Sequence, residues 1–196
     1  CIIDTPGIRS LGLFTDAESV DAAFADIQEL AALCRFSDCG HASEPGVSPQ
    51  TKQFAYRTHQ LNRLELLARI LQATDRGLTM IFCRTKRNAQ RVADDLVDRG
   101  FAAAAVHGDI GQGAREQALR AFRNGKVDVL VATDVAARGI DVADVTHVIN
   151  WECPDDEKTY LHRIGRTGRA GKDGVAITLV DWDDMHRWKM INQALG

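Results

Sequence analysis

An open, parallel α/β sheet with helices on both faces is the fold this sequence predicts over most of its length. Three observations predict it. Short apolar runs recur between residues 53 and 180. Several are nearly continuous in hydrophobicity, as strands buried on both faces of a parallel sheet must be. Between them lie segments whose apolar residues fall at helical spacing, and alternation of strand with helix implies right-handed crossovers around a layered core.

The strands are expected at 53–58 (QFAYRT), 78–83 (LTMIFC), 102–106 (AAAAV), 127–132 (VDVLVA), 145–150 (VTHVIN) and 174–180 (GVAITLV). Leu64, Leu67, Ala68 and Leu71 form the first helical stripe. Thr85 is a suitable N-cap for a second helix, in which Ala89, Val92, Ala93, Leu96 and Val97 share a face and which Gly100 ends. Ala114, Ala118, Ala121 and Phe122 mark a third. DWDD at 181–184 reads as the acidic start of a last helix over Met185–Leu195 rather than as metal-binding carboxylates. Trp182, Trp188 and Met190 are expected to pack that helix onto the sheet.

Bulk properties narrow the class. A chain of 196 residues, 45% apolar and 26% charged, fits a globular domain, alone or with an appendage. No apolar run approaches the roughly 20 residues of a membrane span, and nothing at the start reads as a signal peptide. The five cysteines (Cys1, Cys34, Cys39, Cys83, Cys153) are odd in number, which fits free thiols in a reducing cytoplasm. The chain begins at Cys1, so it is expected to be a piece of a longer protein. Charge is uneven: residues 1–46 hold eight acids and two arginines, for −6, and the remainder carries +3.

Open α/β sheets bind ligands outside the carboxyl ends of their strands. Arg84-Thr85-Lys86 follows the second run, and His107-Gly108-Asp109 the third, with Gln112 and Arg115 close behind. Thr133-Asp134 follows the fourth and leads to Ala137-Arg138-Gly139-Ile140-Asp141. After the fifth comes a helix and then HRIGRTGR, which sets Arg163, Arg166 and Arg169 three apart, with glycines at 165 and 168. The expectation is that all four groups reach one edge of the sheet. Guanidinium forks suit phosphate better than ammonium groups do. GRAGKD at 168–173 is not a P-loop, because Asp173 stands where Ser or Thr is needed and the first glycine is missing.

CRTK, HGDIGQGAREQAL, VLVATDVAARGIDV and YLHRIGRTGRAG resemble the successive motifs of the second RecA-like lobe of DEAD-box RNA helicases. The resemblance covers about 47–196. It implies a RecA-like (P-loop NTPase-type) lobe that closes over ATP and Mg2+ held mainly by a first RecA-like lobe, and that grips RNA. Arg166 and Arg169 match the γ-phosphate arginines of the family. Asp141 matches the carboxylate that meets the ribose. Arg138, Gly139, His162 and Arg163 match residues at the nucleotide or between the lobes, and Gly165 and Gly168 would let phosphates come close. Thr85, Gly108, Arg115 and Thr133 match RNA-backbone contacts, with Gln112 supporting that loop. Few aromatics accompany them, so no base-stacking platform and little sequence preference are expected. Walker A and DEAD motifs are absent, so this chain alone is expected to be inactive.

Residues 1–46 resemble something else. Asp4-Thr5-Pro6-Gly7, Phe24-Ala25-Asp26-Ile27 and CRFSDCGHASEPG are similar to the G3 motif and zinc region of circularly permuted, small-ribosomal-subunit-dependent GTPases. Cys34, Cys39 and His41 have zinc-ligand spacing, but a structural zinc takes four ligands, and Val47 stands where the family has its fourth. The segment is therefore read as a truncated, mostly helical remnant joined to the helicase lobe, with zinc not expected. Two other readings stay open: a non-catalytic RNA-binding module, and a GTPase-derived protein acting on a ribosome or ribonucleoprotein.

Overall fold

The computed structural model describes residues 2–3, 51–74, 76–140, 142, 144–169 and 172–195, with residues 2 and 3 as backbone. The expectations for Asp141, for Cys34, Cys39 and His41, and for the helical appendage lie outside the described residues. So do the GTPase-like motifs.

The strands are β1 (Ile2–Ile3), β2 (Thr51–Arg57), β3 (Leu78–Cys83), β4 (Ala103–Val106), β5 (Val129–Thr133), β6 (Val145–Asn150) and β7 (Gly174–Val180). The helices are α1 (Gln60–Leu71), α2 (Lys86–Asp98), α3 (Gln112–Arg123), α4 (Asp134–Ala137), α5 (Glu157–Ile164) and α6 (Met185–Ala194). The sheet order is β1-β2-β7-β6-β3-β5-β4. Every pair from β2 to β4 is parallel. β1 adds to β2 antiparallel, with Ile3 opposite Ala55. Ile2 and Ile3 thus belong to the sheet, although the sequence grouped them with the appendage.

Alternation along the strands sorts the core into two faces. Ile81 and Cys83 of β3, Val129 and Val131 of β5, and Ile177 and Leu179 of β7 pack with Leu67 and Leu71 of α1 and with Ala89, Val92 and Leu96 of α2. The intervening residues Met80, Phe82, Leu130 and Ala132 face the other way, onto Phe122 of α3 and Ala136 and Ala137 of α4. On that same side Ala55, Ala176 and Val180 meet Tyr160 and Ile164 of α5 and Trp188 and Ile191 of α6. No described helix is long and apolar enough to cross a membrane.

The structure corrects several local expectations. β5 starts at Val129, because the amides of Lys126 and Val127 turn back to the Ala121 carbonyl. Val97 is 52% exposed, so the buried stripe of α2 is narrower than its apolar pattern. Ala114 is exposed, and α3 buries only Phe122 fully. In the last helix Trp188 packs inward at 8% exposure, whereas Met190, and Trp182 just before the helix, stand out at 43% and 68%.

Candidate functional site

The carboxyl ends of β3, β4 and β5 lie side by side, with Cys83 paired to Thr133 and Val106 to Ala132. They bring Thr85, Gly108 and Thr133 to one edge. Thr85 is exposed and caps α2, its Oγ1 accepting the Asn88 N–H at 3.2 Å. The hydroxyl proton remains for an outside acceptor. Thr133 begins α4, 9% exposed, and its hydroxyl makes no capping bond.

Gly108 sits in a pinned turn. The Ile110 N–H donates to the His107 carbonyl at 3.1 Å, and the Asp109 N–H donates to His107 Nδ1 at 3.3 Å. That bond leaves the ring proton on Nε2, which faces Gln90 Oε1 at 3.0 Å. Lys86 Nζ, just past the end of β3, holds Asp109 at 2.8 Å across the end of the intervening strand β5. Gly108 itself is exposed, and no heavy atom lies within 4 Å of where a Cβ would stand. A ligand can therefore reach its backbone. Arg115 leans from α3 toward α4, Nη2 donating to the Ala136 carbonyl at 3.1 Å. Gln112 donates to Glu116 Oε1 at 2.8 Å on its own helix.

The arginines lie elsewhere. α5 carries the chain back along the sheet, and Thr167 Oγ1 meets the Val145 and Thr146 carbonyls at 2.7 and 2.9 Å. Val145 is the first residue of β6. Arg166 Nη1 donates to the Ile140 carbonyl at 3.1 Å and Arg169 Nε to the Gly165 carbonyl at 2.8 Å. The arginine turn thus rests on the amino ends of β6 and β7, not on the carboxyl edge with Thr85, Gly108 and Thr133. The expectation of one shared edge is overturned: a crossover helix necessarily returns the chain to the start of the next strand.

Arg163 is 1% exposed. Its Nε and Nη2 clamp both Asp134 oxygens at 2.6 and 2.7 Å, while Nη1 donates to Asn150 Oδ1 at 3.2 Å and the Glu152 carbonyl at 2.9 Å. This buried fork acts as a strut within the lobe, tying α5 to the ends of β5 and β6. His162 and Arg138 are exposed. Gly139, at φ +73, makes the left-handed turn after α4 that delivers the Ile140 carbonyl to Arg166. Gly165 and Gly168 are buried, and a Cβ on Gly174 would come within 2.5 Å of the Gly168 nitrogen. Gly168 therefore packs closely against Gly174 inside the lobe.

Behind the edge, Arg84 Nη2 reaches Asp184 Oδ1 at 3.3 Å and Glu152 Oε1 at 3.6 Å. Burial pushes the Asp184 carboxyl above its ordinary value, with Arg84 the largest opposing influence. Burial likewise raises the Cys153 thiol to about 12 and the Cys83 thiol well above its usual range. Both are inert, unpaired thiols. Among the described residues no three His, Cys, Asp or Glu side chains converge on a metal position.

Asn150 and Glu152 are neighbours of Arg163 that the sequence motifs did not single out. Neither did they single out His59, and they gave Trp182 only a packing role, although each lies two residues past the end of its strand, β2 or β7, as Thr85 and Gly108 lie past β3 and β4.

Residues 62–171 match the model of the helicase conserved C-terminal domain. Over 142 residues the chain is 45% identical to the ATP-dependent RNA helicase CshA of Listeria monocytogenes, covering 72% of this chain and 27% of that protein. The E. coli DEAD-box protein SrmB, solved bound to regulator of ribonuclease activity A, superposes with a TM-score of 0.70 at 38% identity, over 74% of this chain and 85% of that one. S. cerevisiae Dbp5, solved with RNA and ADP BeF3, gives 0.66 at 34% identity, over 74% and 38% of the two chains. The chain spans about a quarter of the length of the curated relatives it matches. Fold, motif order and the matched span agree: the chain belongs to the helicase conserved C-terminal domain family.

Proposed function

We propose that this chain is the second lobe of an ATP-dependent RNA helicase of the DEAD-box type. ATP and Mg2+ sit on a first lobe outside the chain and supply the phosphoanhydride bond that is hydrolysed. Arg166 and Arg169 stabilise charge on the γ-phosphate. Arg138 and His162 face the first lobe, and Asp141 takes the ribose. Thr85, Gly108 and Thr133, with Arg115, hold the RNA sugar–phosphate backbone. The observation that carries this reading is the separation of two chemistries on one sheet. Hydroxyls and an open backbone stand at the carboxyl edge, and part-exposed guanidiniums stand on the turn before β7. Guanidiniums fit the nucleotide: they orient on phosphate without a metal, and the described residues offer no carboxylate cluster of their own for magnesium. The buried free thiols Cys83 and Cys153 suit a reducing, cytoplasmic setting. The boundary after residue 46, and the reading of residues 1–46 as a GTPase-like remnant without zinc, belong to the same proposal. Metal analysis showing one zinc per chain would reverse that last part.

The test supplies the missing lobe. The 196-residue chain alone is expected to show negligible ATP hydrolysis. Fused to a first lobe from a DEAD-box relative, it should gain RNA-stimulated turnover, and Arg166→Ala should then lower kcat by about 10³–10⁵ with RNA affinity kept. RNA-stimulated hydrolysis by the chain alone, or full turnover in the variant, overturns the proposal.

A further inference from the structure

β2 and β7 end at the same carboxyl edge but take no part in the site above. They run in register, with Arg57 beside Val180. His59, Gln60, Asp181, Trp182 and Asp183, just past their ends, line a cavity of about 260 Å³. Trp182 stands in it 68% exposed, whereas Trp151 and Trp188 keep only 6% and 8% of their surface in solvent. The Arg57 guanidinium lies 3.9 Å from the centroid of the Trp182 ring. It covers one face of the indole, so the exposure belongs to the other face and the rim.

The platform is held in place. The Asp184 N–H donates to Asp181 Oδ1 at 3.0 Å, closing the turn that bears Trp182. Arg63, itself 4% exposed, grips Asp181 Oδ2 at 2.8 Å from below. His59 Nδ1 accepts the Leu61 N–H at 3.2 Å as the cap of α1, which leaves Nε2 as a donor at the rim. The Gln60 side chain is exposed beside it. The platform also adjoins the RNA edge. β7 lies two strands from β3, about 10 Å along the sheet. Arg84, next to Thr85, reaches Asp184 at 3.3 Å, two residues from Trp182.

We propose that Trp182 is a stacking subsite for one unpaired RNA base flanking the stretch held at Thr85, Gly108 and Thr133. This rests on the RNA reading given under Proposed function. Exposed Asp183 repels a phosphate at this spot, whereas a flat neutral base meets the open indole face, with Arg57 supporting the ring from behind. Every base has such a face, so the subsite adds affinity with little sequence preference.

Because Trp182 is the exposed one of three tryptophans, emission reports on it directly. The full chain is titrated with a short single-stranded oligoadenylate and with an abasic sugar–phosphate strand of equal length. Oligoadenylate should quench the emission; the abasic strand should bind without quenching. Trp182→Ala should weaken oligoadenylate by about 5- to 150-fold, the range for one base–aromatic stack. Trp182→Phe should recover most of that, and neither variant should change abasic affinity. Arg115→Ala should weaken both ligands. If oligoadenylate binds and Arg115→Ala weakens it, while Trp182→Ala changes nothing, the subsite is refuted and the RNA reading stands. If the unmodified chain binds neither strand, the RNA reading fails and the subsite with it. Quenching by free AMP at the same nucleotide concentration marks a mononucleotide pocket and also overturns the proposal.

Discussion

The carboxyl edge and the arginine turn of this lobe are positioned by different means. At the edge, Thr85 and Gly108 lie just past strand ends, and Thr133 at one, whose register is fixed by backbone pairing. Each offers a short side chain or none, so the backbone alone decides where it lies. The arginine turn lies outside the strands, against the amino ends of β6 and β7. It hangs on carbonyls drawn from four places: Ile140, Val145, Thr146 and Gly165. An edge built on register tolerates change nearby, because many parallel bonds share the positioning. A turn held by side-chain bonds rather than by strand register depends on the helix that delivers it, and that helix is α5.

Arg163 and Asp134 are where the two regions meet. Asp134 adjoins Thr133 of the edge; Arg163 lies three residues before Arg166 of the turn. Their paired bonds of 2.6 and 2.7 Å put a charge pair across the gap, with side-chain exposures of 1% and 32%. Arg163→Ala leaves Asp134 uncompensated and is expected to cost about 3–5 kcal/mol in urea unfolding. RNA affinity and turnover of the fused enzyme should fall together, whereas Arg166→Ala touches turnover alone. Arg163→Lys keeps the charge but loses the fork, and should fall between. A loss no larger than that of an exposed ion pair, about 1 kcal/mol or less, would show that the regions stand independently.

The edge can be tested by itself through Thr85, which both caps α2 and is proposed to touch RNA. Thr85→Asp preserves the cap, since aspartate accepts the Asn88 N–H as well as threonine does. Stability should stay within a few tenths of a kcal/mol, while a carboxylate set against phosphate should cut RNA affinity severalfold. Thr85→Ala does the reverse, costing about 1 kcal/mol of stability with a milder loss of binding. Equal RNA affinity for Thr85→Asp and the unmodified chain would leave Thr85 as a cap only.

The strand positions are legible in the sequence because parallel strands must be apolar on both faces, and 78–83, 145–150 and 174–180 agree with the structure to the residue. The Thr85 cap is legible because its signal is local. The place of the arginines differs from expectation for a topological reason. In a parallel sheet the residues just before a strand lie at its amino end, and HRIGRTGR precedes β7, so the amino end is implied by the same pattern that implies the sheet. Exposure is not legible at all for Trp182 and Val97. An apolar side chain looks identical in sequence whether it faces the core or the solvent, and only the turn built by Asp181 and Asp184 decides for Trp182. The contacts of Arg163 are not legible in its motif because its partners, Asp134, Asn150 and Glu152, come from outside it.

The smallest effect comes at the start of α5, the helix on which the arginine turn depends. Asp156 caps it: Oδ1 accepts the Thr159 N–H at 2.7 Å and Oδ2 the Thr159 hydroxyl at 3.1 Å. The bond from the Thr159 N–H, foremost, holds the Asp156 carboxyl below its ordinary value. The folded form therefore favours the charged carboxylate, and its contribution is present above the unfolded value of about 3.9 and fades as pH falls through the lower folded one. Asp156→Ala should cost about 1 kcal/mol near neutral pH. Asp156→Asn keeps an acceptor that does not titrate, so its stability should match the unmodified chain near neutral pH and exceed it in acid. If Asp156→Asn loses as much as Asp156→Ala at neutral pH, the negative charge at the helix start, and not the capping bond, is what holds α5 and the arginines it delivers.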